Sequence, residues 1–111
     1  MPQIQGSYIP SGATRYMSAA AEQIVVIKAT PGKLHCAVVC NIQAASRWLF
    51  VFNALVASAV LVMPPILIPA GGFASIDLSS LPFDVACTFA SSTAAVYAVG
   101  GNDFHILAFT S

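Results

Sequence analysis

Residues 33–42 alternate along their whole length. Leu34, Cys36, Val38, Cys40 and Ile42 fall on one side, and Lys33, His35, Ala37, Val39 and Asn41 on the other. A period of two marks a half-buried β-strand. Other segments extend the pattern. Ile24-Val25-Val26-Ile27 is β-branched throughout, as strands prefer. Thr30-Pro31-Gly32-Lys33 predicts a turn, with Pro presetting φ and Gly permitting a positive one. Residues 47–53 form another strand, with Trp48, Phe50 and Phe52 on the core face and Leu49 and Val51 opposite. Pro64 and Pro65 forbid a regular helix, so residues 61–68 are extended. Strands follow at 73–78, 83–89, 94–99 and 104–109. Pro69-Ala70-Gly71-Gly72, Ser79-Ser80-Leu81-Pro82, Ser91-Ser92-Thr93 and Gly100-Gly101-Asn102-Asp103 separate them. The apolar stretch 54–60 reads as either a loop or a helical turn.

About eight short strands with regularly spaced turns predict an all-β antiparallel sandwich, of which the jelly roll is one form. No long helical pattern intervenes, which argues against a parallel α/β sheet. Residues 1–21 are small and polar without periodicity and read as an extended N-terminal arm. Residues 22–111 carry the sandwich domain. Several strands are apolar on both sides, whereas the outer face of a sandwich should be polar. Val39, Leu49, Val51, Leu107 and Phe109 lie opposite the expected core faces. With Tyr8 and Tyr16 of the arm, they are the candidate interface residues.

Composition strengthens that expectation. Of 111 residues, 58% are hydrophobic and 7% charged, with Lys+Arg and Asp+Glu balanced at 4 each. So few charges do not cover a free monomer, so the surface is expected to meet other subunits, including further copies of the chain. The alternative is a bilayer, since residues 48–76 carry no formal charge. Pro64, Pro65, Pro69 and Gly71-Gly72 break that run, and no Lys/Arg cluster flanks it, so no membrane partner is expected. The first dozen residues lack the basic start and apolar stretch of a signal peptide. Arg15, Lys28, Lys33 and Arg47 are scattered, which argues against a nucleic-acid partner.

Candidate chemistry is sparse. Cys36 and Cys40 would stand roughly 13 Å apart on a strand, too far to share a metal ion. With Cys87 they read as reduced, buried small residues. His35 and His105 oppose apolar faces and read as surface or interface residues. Asp77 and Asp84 flank the Ser79-to-Pro82 loop and could order it or form a carboxylate pair. No nucleophile elbow, phosphate loop or metal cluster is present, so neither catalytic residues nor cofactors are expected.

Three stretches carry a resemblance. They are Ile24 to His35 around the Pro31-Gly32 turn, Pro64 to Leu78 around Pro69-Ala70-Gly71-Gly72, and Pro82 to Ala94. In these the chain resembles the small β-sandwich virion proteins of tailed bacteriophages. The resemblance implies a structural, non-enzymatic subunit made in the host cytoplasm and carried in the virion. Its leading form is a capsid decoration (cement) protein bridging joints of the major capsid protein. A tail, neck or baseplate subunit is the second form, and a carbohydrate- or receptor-binding sandwich the alternative outside assembly. The arm would add to attachment by pairing with a neighbouring subunit.

Overall fold

The computed structural model describes residues 12–111, with Leu78 and Ser79 described by their backbone alone. Among the described residues eight strands run in chain order: β1 (Thr14–Met17), β2 (Ile24–Lys28), β3 (Gly32–Asn41), β4 (Arg47–Phe52), β5 (Leu61–Ile68), β6 (Phe73–Phe83), β7 (Cys87–Ser92) and β8 (Phe104–Thr110). They form two four-stranded antiparallel sheets. Sheet A has the order β1-β8-β3-β6 and sheet B the order β2-β7-β4-β5. The protein is an all-β sandwich, as the spacing of turns implies.

Three differences from the sequence reading have local causes. Thr14–Met17, expected within the arm, pairs with β8 in register Thr14↔Thr110 to Met17↔Leu107. Its four residues carry too little periodicity to announce a strand, and it lies at a sheet edge. The expected loop at 79–82 is instead a bulge inside β6. Between Leu34↔Leu81 and Cys36↔Asp77, β6 advances four residues while β3 advances two. Ser80 sits there at φ 72°, a left-handed conformation unusual for a side chain with Cβ. Residues 94–99, expected as a strand, form an irregular loop, with one isolated bridge between Ser92 and Val99.

The β3 register also slips against β8, where His35 is the extra residue between Leu34↔Thr110 and Cys36↔Phe109. Such an insertion reverses which side chains face the core. Leu34 points inward, and beyond the bulge it is Ala37, Val39 and Asn41 that are buried, while Val38, Cys40 and Ile42 are exposed. The alternation in residues 33–42 is therefore real, but its phase is broken at His35.

The main core lies between the sheets and contains Leu34, Val39, Leu49, Val51, Phe89 and Phe104 among others. Burying each large apolar side chain stabilises the fold by roughly 1.5–3 kcal/mol. Gly32 is fixed by packing, because a Cβ there would collide with the Ser111 carbonyl oxygen. That carbonyl accepts a hydrogen bond from Lys33 N at 2.9 Å, tying the C-terminus to β3.

Candidate assembly surface

Each sheet has an outer face, and the two are finished differently. On sheet B, Trp48, Phe50 and Phe52 project away from the main core. Their neighbours on β7 are Ser92, Ala90 and Thr88, in register. These small side chains leave room above the sheet, and the 93–99 loop fills it. The Tyr97 ring meets Phe50 and Phe52 edge-on, with centroids 5.4 and 5.2 Å apart. Phe50 and Phe52 stack at 5.7 Å. The result is a second small core with Phe52 wholly buried. At the flanks of this face Ile24 and Val26 on β2 and Leu67 on β5 remain exposed, as do Val96 and Val99 on the covering loop.

Polar contacts hold the covering loop down. Ser92 Oγ donates to the Ala94 carbonyl at 2.8 Å and accepts from Ala98 N at 2.9 Å. At the far end, Asp103 is buried and accepts from Ser91 Oγ, from Gly101 N at 2.9 Å and from Arg47 Nε at 3.0 Å. Burial pushes the Asp103 carboxyl pKa up. The Ser91 hydroxyl, the Gly101 N–H and the Arg47 charge outweigh it and hold the group below the ordinary carboxylate value. Gly100 is required in this turn, since a Cβ would strike Ser91 Oγ.

Sheet A has no such cover among the described residues. Its outer face reads as three cross-strand rows. Arg15, Phe109, Cys36 and Asp77 stand in one register row, and Met17, Leu107, Val38 and Ser75 in the next. His105, Cys40 and Phe73 form the third. Phe73 is 68% exposed and Met17 62%. Beside the third row, an open depression of about 340 Å³ is lined by Met17, Ser18, Val38, Cys40, His105 and Leu107. Arg15 and Asp77 close the first row at opposite edges. Neither makes an ion pair among the described residues, where the salt bridge is Arg47–Asp103.

The structure redistributes the expected interface residues. Val39, Leu49 and Val51 are not outward-facing. All three are fully buried in the main core. Val39 is turned inward by the His35 bulge. Leu49 and Val51 face sheet A because β4 has core on both sides. Leu107 and Phe109 do lie on the outer face of sheet A, half-buried. Tyr16 points inward against the main core, and its hydroxyl donates to Glu22 Oε2 at 2.5 Å. Burial, then the Glu22 carboxylate, pushes its pKa to about 12. Tyr8 lies outside the described residues. The surface residues that sequence reasoning missed are Met17, Val38, Cys40 and Phe73. The signal for two of them, Val38 and Cys40, was in the alternation, read in the wrong phase.

Other chemical candidates are also placed. Cys36 and Cys87 are buried, but Cys40 is exposed, contrary to its expected burial. Burial pushes the Cys87 thiol to about 12. His35 is not a surface residue. It is buried, with Nδ1 2.6 Å from Ser80 Oγ and Nε2 2.8 Å from Ser111 Oγ. Each ring nitrogen thus has a hydroxyl partner, which pins the bulge to the C-terminus. His105 is exposed on sheet A. Asp77 and Asp84 form no pair. Asp84 sits in the β6–β7 turn, where Asn53 Nδ2 donates to it at 2.5 Å and Asn53 Oδ1 accepts from Val85 N at 2.9 Å. Loop 54–60 adds Ala54 to the second core, while Leu55, Val56 and Val60 are exposed. Among the described residues no helix is long and apolar enough to cross a membrane. Compared with protein-family models, with curated proteins and with solved structures, the chain matches none.

Proposed function

We propose that the chain is a structural subunit of a virion, a capsid decoration protein first and a tail, neck or baseplate component second. Its contacts with other subunits, further copies of the chain among them, would form through the outer face of sheet A. The observation that carries the reading is that face itself: an apolar sheet surface left open in a molecule that covers the middle of its other outer face. Exposed apolar patches of this kind mark interaction sites. The strand order supports the same reading. Partners nest as β1 with β8, β2 with β7, β3 with β6 and β4 with β5, alternating between sheets. We read this as the wrap of a jelly roll, an architecture used by viral capsid and lectin domains. The fold does not choose between those uses. The choice rests on the surface, where an apolar sheet suits a protein partner better than a sugar.

The mechanical role follows from the chemistry. Apolar side chains covered on assembly each contribute roughly 1.5–3 kcal/mol, repeated at every symmetry-related position of a shell. The partners would be the major capsid protein or other virion subunits. The test is gradient sedimentation of a lysate containing the native chain, with its copy number measured in each fraction. Hundreds of copies in a particle fraction indicate a decoration protein, and a few tens a tail or neck subunit. A chain found wholly in the slow, free fraction contradicts the proposal.

A further inference from the structure

We infer that the outer face of sheet A binds a second copy of this chain, face to face, about a two-fold axis parallel to the strands. The face is self-complementary under that operation. A two-fold lying between two facing sheets exchanges β1 with β6 and β8 with β3. In the first row Arg15 on β1 then stands over Asp77 of the other copy, and Asp77 over the other Arg15. Within one chain these two residues sit about 14 Å apart, three strand spacings of about 4.8 Å, and do not meet. Across facing sheets about 10 Å apart, an extended Arg and an Asp span the gap. In the middle row Leu107 covers Val38 of the other copy, an apolar contact at the centre.

The third row supplies shape. Phe73 projects from β6 at one end, and the 340 Å³ depression opens across β1, β8 and β3. The same exchange of β6 with β1 lays Phe73 over the β1 side of that depression in each copy. A knob and a hole placed symmetrically about one axis favour an isologous pair. Four strands of about six residues present roughly 19 by 20 Å, so pairing two copies removes roughly 800 Å² from water. That is the size of a weak, concentration-dependent pair, with an aromatic anchor and charged rims in the usual places.

The inference deepens the assembly reading by naming a second copy as the occupant of this face, which leaves attachment to a particle to the other surfaces of the pair, and it rests on that reading in taking this face as a contact surface. Sedimentation equilibrium of the full chain tests it, with circular dichroism melts confirming that each variant folds. Two-chain particles are expected. Phe73→Glu should weaken them at least tenfold, and Arg15→Asp or Asp77→Arg should each weaken them several-fold. The double exchange Arg15→Asp/Asp77→Arg should restore association, because the pair is re-formed between copies. A monomer at every concentration overturns the inference, as does a dimer indifferent to Phe73→Glu. A monomeric full chain that dimerises once residues 1–11 are removed also overturns it, by assigning the face to the chain's own N-terminal segment. A chain that sediments with particles but is monomeric alone removes this inference and leaves the virion reading. A dimer that attaches to no particle does the reverse.

Discussion

The outer faces of the two sheets begin from similar material and end differently. Sheet B shows Trp48, Phe50 and Phe52 away from the main core, and sheet A shows Met17, Leu107, Phe109 and Phe73. On sheet B the 93–99 loop closes over the aromatic strand, with Tyr97 packed on both rings. On sheet A the corresponding surface stays open among the described residues, with Phe73 at 68% exposure. One face is therefore covered by the chain itself, and the other is open among the described residues. An apolar residue opposite the core face of a strand is thus not in itself an interface residue. What decides is whether the same chain brings something to lie on it.

Substitutions separate the two faces by what they damage. Phe52→Ala removes a wholly buried ring and should cost about 3–5 kcal/mol in urea unfolding. A cost below 1 kcal/mol would mean that the second core contributes little. Asp103→Ala strips the acceptor from Ser91, Gly101 and Arg47 at the end of the covering loop. It should cost about 2–3 kcal/mol by the same measurement. The pH dependence follows with a definite sign. The folded-state pKa of Asp103 is lowered, so its contribution is complete above the unfolded value of about 3.9 and is lost as pH falls through the folded value. Acid titration of the melting temperature should show that loss, and Asp103→Asn should flatten it.

Tyr97→Ala opens sheet B from outside. It should cost about 1–2 kcal/mol, since two edge-to-face contacts go with the ring. It should also raise binding of an apolar fluorescent dye, making sheet B resemble sheet A. The smallest effect belongs to sheet A. Met17→Ser should change the stability of the isolated chain by no more than about 0.5 kcal/mol, as for exposed positions generally. A larger loss would show that Met17 belongs to a core.

Much of the fold is legible in the sequence, because turn chemistry and β-branched runs are local. Strands β2 to β5 and β8 follow from Pro, Gly and alternating apolar residues. The site is less legible, because its decisive events are non-local. The His35 bulge depends on a partner strand that is itself bulged at Ser80, and one extra residue is enough to exchange Val39 with Val38 as the exposed residue. The fate of Phe50 and Phe52 depends on Tyr97, more than forty positions away. No strand-by-strand reading of periodicity shows which loop will fold over which face. The role of Asp103, which looks like a turn residue, likewise depends on Arg47 and Ser91 arriving from sheet B.

Cys40 gives the most direct probe of the open face. It is exposed in the middle of the sheet A surface, between His105 and Phe73, while Cys87 is buried with its thiol pushed to about 12. The measurement is the rate of maleimide labelling at each cysteine, located by peptide mass spectrometry, across a range of protein concentrations. Fast labelling of Cys40 is expected in dilute protein and at least tenfold slower labelling once the face is covered, with Cys87 unreactive throughout. A Cys40 rate that does not change with concentration, or in the particle-bound chain, would contradict this expectation.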